Sequence, residues 1–224
     1  MPLFCNNLFS QHYHYIIHLF LVAIIAHTCT TLVLAQQPNK PTTSQIYHNL
    51  EKLNFLGSVL YIAAHPDDEN TRLISYLAND LHAKTAYLSL TRGDGGQNLI
   101  GPEIRELLGV IRTQELLAAR ATDGGEQLFT RANDFGYSKH PDETLSIWNK
   151  DAVLSDVVRA IRKFKPDVIV NRFNQRNPGR THGPHTGTAN MSVETVELVG
   201  DAAEVTNTEI TMGCRPPKVR DMTR

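Results

Sequence analysis

SVLYIAAHPDDENTRLISYL, residues 58–77, decides the fold. From Val59 to Ala64 the stretch is apolar without a break, and it runs directly into His65, Asp67, Asp68 and Glu69. An alternating strand has one face in water. An unbroken apolar strand is buried on both faces, as in a parallel sheet covered by helices. Residues 58–64 therefore read as a buried strand with a polar cluster at its carboxyl end. The acids then open a helix over 68–82. Its dipole favours negative charge in the first turn, and Leu73, Leu77 and Leu81 share one face.

The pattern repeats outward from there. KTAYLSLT (84–91) reads as a second strand, EQLFT (126–130) as a short third, and DVIVNRF (167–173) as another buried strand. Between them, 102–121 forms an amphipathic helix with a proline near its start, and 151–165 forms a helix stopped by Pro166. A helix over 186–200 follows, with Val193, Val196 and Val199 as its apolar stripe. Alternating strands and helices predict an α/β, Rossmann-like three-layer fold with a mostly parallel sheet. In such folds ligands bind at the carboxyl ends of the strands. HPDDE (65–69), RGDGG (92–96) and THGPH (181–185) all fall there.

The 224 residues suit one ordinary α/β domain, and a formal net charge of −1 gives no electrostatic reason to expect nucleic acid. The first 35 residues carry no Lys, Arg, Asp or Glu. They end in Val33-Leu34-Ala35, small residues at the spacing of an export signal cleaved after Ala35. Uncleaved, the segment approaches the roughly 20 residues of a membrane anchor. Either reading places the protein outside the cytoplasm or on its membrane. Removal at Ala35 takes away Cys5 and Cys29 and leaves Cys214 alone. Residues 36–55 read as a linker and lead-in, 56–200 as the functional domain, and 201–224 as an atypical tail.

His65 and Asp68 stand three apart, as do His182 and His185. One imidazole, one carboxylate and one further imidazole make a three-ligand zinc site with an open position. Asp67, next to Asp68, is placed to act as a base, and a protonated His182 to face a developing oxyanion. A structural zinc is disfavoured because such sites are cysteine-rich. A phosphoesterase with two metals about 3.5–4 Å apart needs more acids or histidines than these loops offer. Arg92, Asp94 and the adjacent glycines read equally as a substrate-binding loop or as a tight turn. The echo KHPDETLSIW (139–148) follows no apolar run. It reads as a surface turn in which Asp142 or Glu143 begins a helix.

AHPDDE after a first strand, IRTQELLAA in a helix and a late H-x-x-H resemble the PIG-L/LmbE family of zinc-dependent N-acetylglucosamine deacetylases. The resemblance runs from about Leu60 to Gly187. It implies hydrolysis of the acetamide of an N-acetylglucosaminyl conjugate, a small molecule or glycan, with one zinc ion per chain. By position, His65, Asp68 and His185 match the family's metal ligands, Asp67 its general base, and His182 the histidine that stabilises the tetrahedral intermediate. Arg112 matches an arginine that contacts the substrate beyond the sugar, and Asp134 falls near a sugar-contacting acid. Pro184 stands where the family often has Asp, and Arg180 where some relatives have a polarising Tyr. The tail does not resemble the family's closing strand and helix. It points to a truncated or frame-shifted chain with one sheet edge open, and EVTNTEITM (204–212) as a weak substitute strand. A non-catalytic sugar-binding remnant is the competing reading.

Overall fold

A computed structural model describes residues 13–25, 40–176, 180–200 and 218–221. The chain divides into two units, residues 1–48 and 49–224. In the first, residues 13–25 form helix α1, with side chains such as Leu19 and Phe20 exposed. Helix α2 (Thr43–Lys52) buries none of its residues. It lies in the span expected to be linker, and its start is a capping box. Thr42 Oγ1 accepts from Gln45 N at 3.3 Å while Gln45 Oε1 accepts from Thr42 N at 2.7 Å. Among the described residues no helix is long and apolar enough to cross a membrane. The expected cut after Ala35 lies outside the described residues.

The second unit is an α/β sandwich. Its strands are β1 (Ser58–Ala63), β2 (Lys84–Ser89), β3 (Glu126–Phe129), β4 (Val168–Asn171) and β5 (Lys218–Asp221). They form one sheet in the order β3-β2-β1-β4-β5, and every pairing is parallel. β1 is central, and all six of its residues are buried. Successive side chains point to opposite faces, so β1 supplies two cores. Leu60 and Ile62 join Leu88, Trp148, Val157, Ile161 and Met191 on one face. Val59, Tyr61 and Ala63 join Tyr87, Ile74 and Leu116 on the other. Helices α3 (Thr71–Ser75) and α4 (Glu106–Asp123) cover the second face. Helices α5 (Pro141–Trp148), α6 (Lys150–Phe164) and α7 (Gly183–Gly200) cover the first.

Several boundaries differ from those read in the sequence, each for a local reason. The helix expected from 68 starts at Thr71, because Asn70 takes the cap: its side chain accepts from Leu73 N. Asp68 and Glu69 are thereby left in the preceding turn. From Tyr76 to Asp80 the helix widens into a π-turn. That turn carries Leu81 off the apolar stripe to an exposed position, while Ile74 and Ala78 are buried. α4 begins at Glu106, not 102, and ends against the left-handed Gly124. The histidines expected in a loop flank the start of α7, whose first residue is Gly183. Its buried line runs through Met191, Thr195 and Val199, with Val193 and Val196 only partly covered.

The HPDE echo forms a true helix, α5, with Pro141 in its first turn and Thr144 and Trp148 buried. The sheet edge expected to stay open is paired: Val168 to Asn171 align with Lys218 to Asp221. The candidate strand 204–212 lies outside the described residues.

Since β1 supplies both cores, truncating one of its inward side chains should be costly. Ile62→Ala, at a fully buried position, is expected to lower stability by about 2–5 kcal/mol in denaturant unfolding. A loss under about 1 kcal/mol would contradict the packing described for Ile62.

Candidate active site

The strand order reverses at β1. β2 and β3 follow it on one side, β4 and β5 lie on the other, and the crevice beyond β1 and β4 is where open α/β sheets bind ligands. The turn leaving β1 is held from below by β2. Thr91 donates to the Ala64 carbonyl from both its backbone N and its Oγ1, each at 2.9 Å. Tyr61 and Tyr87 face each other in register, with ring centroids 5.8 Å apart. Their hydroxyls reach up into the turn, Tyr87 to the His65 carbonyl at 2.5 Å and Tyr61 to the Asp68 carbonyl at 3.5 Å. Asp68 Oδ2 closes the turn by accepting from His65 N at 2.9 Å.

α7 brings the second pair of histidines. The His182 carbonyl accepts from His185 N at 3.1 Å and from Thr186 N at 3.3 Å, so the H-x-x-H spacing is one opening turn of helix. Pro184 sits early in that helix, where its missing N–H is not needed. Gly183 is required by packing: a Cβ there would lie 2.7 Å from Thr144 Oγ1. The His185 ring lies flat on Phe173, with centroids 3.8 Å apart, and stacks with His182 at 5.1 Å. Tyr137 meets His182 edge-on at 4.9 Å.

His65, Asp68 and His185 each offer one donor atom within 4.8 Å of the other two. His65 Nδ1 lies 3.3 Å from Asp68 Oδ2, and His185 Nε2 lies 3.4 Å from Asp68 Oδ1. Two imidazoles and one carboxylate with their donor atoms gathered within 4.8 Å fit zinc in the chemistry of the donor set. Asp67, Arg112, Asp134 and His182 line the same cavity, of about 570 Å³, together with Gly93, Gly95 and Gly96. Gly95 is where two loops meet: a Cβ there would lie 2.5 Å from the Asp134 carbonyl oxygen.

Charge is tightly balanced here. Burial disfavours the charged form of His65, but the carboxylates of Asp68, Asp134 and Asp67 outweigh it and raise its pKa. Burial also drives His185, with His65 and His182 adding to it, down to about 4, so its ring is neutral at pH 7. Asp68 is buried too, yet the two imidazoles hold it below the usual carboxylate range. Asp67 is pushed up by desolvation and by the Asp68 charge, against the opposing pull of Arg112.

α4 secures the turn from the side. Arg112 Nη2 donates to the Pro66 carbonyl at 2.6 Å and lies 3.5 Å from Asp67 Oδ2. Two turns on, the buried Arg120 grips Asp123 through Nε at 3.0 and 3.1 Å and lies 3.6 Å from Glu69 Oε1, over the Tyr87 ring. Sequence reading gave no role to Arg120 or Tyr137 and placed Glu69 in the first turn of the helix, without its pairing to Arg120. The signal for Arg120 was available: Leu108, Arg112, Leu116 and Arg120 recur every four residues, which puts an arginine on the buried stripe of α4. Arg92, expected at the substrate, is not brought into this cavity. Its guanidinium packs over the Phe129 ring at 4.2 Å and donates to Thr113 at 3.2 Å, lining a separate groove.

A family model described as PIG-L, GlcNAc-PI de-N-acetylase, matches residues 60–196, more than half of the chain. Mycothiol S-conjugate amidase of Streptomyces coelicolor is 24% identical over 174 residues, covering 72% of this chain. The chain spans only 59% of the length of that relative. Among solved structures, N,N'-diacetylchitobiose deacetylase from Pyrococcus horikoshii is similar with a TM-score of 0.56 at 18% identity, covering 81% of this chain and 68% of that one. The 4-carboxy-2-hydroxymuconate hydratase from Pseudomonas putida KT2440 gives 0.54 at 17%, covering 73% and 64%. At such identities these two likenesses speak to the fold alone.

The buried pairing beside the site sets up a contrast. Arg120→Met strands Glu69 and Asp123 without their cation and is expected to cost about 3–5 kcal/mol in urea unfolding. Lys150→Met breaks the more exposed pair with Glu194 and should cost under about 1 kcal/mol. Equal effects would remove the special standing of Arg120.

Proposed function

The chain belongs to the PIG-L family, and from that premise we propose that it is a zinc-dependent amidohydrolase. It removes the acetyl group from an N-acetylglucosaminyl conjugate and releases acetate and a free amine. The observation that carries this reading is the placement of three metal donors, a fourth and unligated acid, and a further imidazole around one cavity at the switch point of the sheet.

His65, Asp68 and His185 would hold one zinc ion, three protein ligands being the pattern of catalytic rather than structural sites. When bound, zinc supplies Lewis-acid polarisation of the acetamide carbonyl and a water acidified to a pKa of about 7. The remaining work falls to the chain. Asp67 is the base: its carboxylate takes the proton of the attacking water and later passes it to the departing amine. Its raised pKa suits that exchange, and Arg112 fixes its orientation from 3.5 Å. His182, held by stacking with His185 and by the edge-on contact of Tyr137, presents an imidazole nitrogen to the oxyanion. Asp134 and the backbone of the Gly93–Gly96 loop line the remaining wall, where sugar hydroxyls need partners. Export belongs to the same proposal, supported by the charge-free first 35 residues.

The test is acetate release from a panel of N-acetylglucosaminides by protein loaded with zinc, alongside elemental analysis. One zinc per chain is expected. Asp67→Asn should keep the metal and lose about 10²–10⁴-fold in rate. His185→Ala should lose the metal, and His140→Ala, in the echo segment, should change neither. Zinc binding with no acetate released from any glycoside would leave a sugar-binding protein in place of an enzyme.

A further inference from the structure

The catalytic cavity does not end at Arg112. Gln97 and Arg112 line it and also line a second groove of about 540 Å³ between the 97–104 loop and α4. The two hollows therefore adjoin across these residues, and they differ in chemistry. The first is walled by acids and imidazoles. The second has Leu108 and Ile111 of α4 along one side and Leu99 and Ile100 along the other.

Leu99 and Ile100 are 93% and 98% exposed, adjacent, and at the apex of the loop. The apex is not slack. Asn98 Oδ1 accepts from Ile100 N and Gly101 N at 3.0 Å each, and Asn98 Nδ2 donates to the Glu103 carbonyl and to Glu103 Oε2. Two large aliphatic side chains are thus held out in water by their own loop, at the edge of a groove that adjoins the catalytic cavity. Together with Ile111 they give this edge of the groove an apolar lining that a hydrocarbon chain could cover.

The polar groups of the groove are already engaged. Glu103 is taken by Asn98, and Glu115 lies 3.4 Å from Arg112. What is left to meet a ligand is hydrocarbon at the far end and the Arg112–Gln97 junction at the near end. We infer that this groove is the subsite for an apolar aglycone: the substrate is an N-acetylglucosaminide whose anomeric substituent is an alkyl or acyl chain lying along Leu99, Ile100 and Ile111. The inference rests on the deacetylase reading for the orientation of the sugar. It departs from a polar or anionic conjugate, for which the groove offers no free cation among the described residues and two carboxylates.

The experiment is a chain-length series. Methyl, butyl, hexyl and octyl β-N-acetylglucosaminides, each below its aggregation limit, are compared as substrates of the full zinc-loaded chain, and methyl and hexyl glycosides are compared for binding by calorimetry. The expected result is a rise of about 10-fold in kcat/KM from methyl to hexyl, a fraction of the full transfer effect of five methylenes because the groove is open. A Leu99→Gln/Ile100→Gln double variant, which alters no core residue, should flatten the series. A flat series in the original protein, with equal binding of the two glycosides, overturns the subsite and leaves the deacetylase reading standing. A rising series that the double variant does not flatten also overturns it. Tighter binding of the hexyl glycoside without acetate from any member keeps the subsite and rejects the deacetylase. A flat series combined with sedimentation on phosphatidylcholine vesicles, lost in the double variant, would reassign the apolar edge to a membrane surface.

Discussion

Burying a carboxylate is costly unless opposite charge and hydrogen bonds meet it. Asp68 and Glu69 are largely closed off from solvent at the end of a strand that is buried on both faces, and Asp67 beside them is exposed. Each is met by a different part of the molecule. Asp68 is met by the His65 backbone and by the two imidazoles, which ties β1 to the start of α7. Glu69 turns to Arg120 in the floor of α4. Asp67 keeps its carboxylate toward the cavity, with Arg112 beside it. The compensation explains why one helix carries two inward arginines and why the turn can be rigid with so much like charge in it. In the proposed reaction Asp67 would serve as the base beside a neighbour, Asp68, that would hold the metal.

The architecture was legible because β1 has a period that only one environment satisfies. Five apolar residues in six, alternating between the two faces and all buried, require cover above and below, and parallel pairing with crossover helices supplies it. The positions of His65, Asp67, Asp68, His182 and His185 were legible for a related reason, since each follows a strand and strand ends share one edge. Sequence periodicity did not show competition among local hydrogen bonds. Asn70 won the helix cap over Asp68, and Thr42 with Gln45 made a helix in a stretch that composition marks as linker. Nor did it show where long side chains reach. Arg92 stands in a glycine-rich loop beside the cavity, yet an aromatic face and a threonine hold it on the other side of α4. Glu69 and Arg120 are far apart in sequence, and nothing local to either names the other.

The aromatic groups around the site share out the work of orientation. Phe173 and His182 fix the plane of the His185 ring by stacking, where a hydrogen-bonded carboxylate would do so in a site with Asp at position 184. Tyr61 and Tyr87 act on the backbone instead, and their hydroxyls bind carbonyls in the turn that carries the other two donors. A ring plane set by stacking resists tilting but still permits rotation within the plane. The backbone of the turn that carries His65 and Asp68 is held at its carbonyls, so the two sides of the cluster are positioned by different means.

α4 also fixes a length. Arg112 and Arg120 are eight residues apart on one helix, about 12 Å of rise and slightly more than two turns. One anchors Pro66 and the other reaches Glu69, at opposite ends of the same short turn. Substitutions between them leave this spacing unchanged, whatever they do to local contacts such as that of Glu115 with Arg112. An inserted or deleted residue rotates every later position by about 100° and takes Arg120 off the buried stripe, away from Glu69 and Asp123. Over this interval the chain should therefore accept changes of letter and refuse changes of length. Natural variation in α4 would show that as a stretch without gaps, even where its outward-facing amino acids differ.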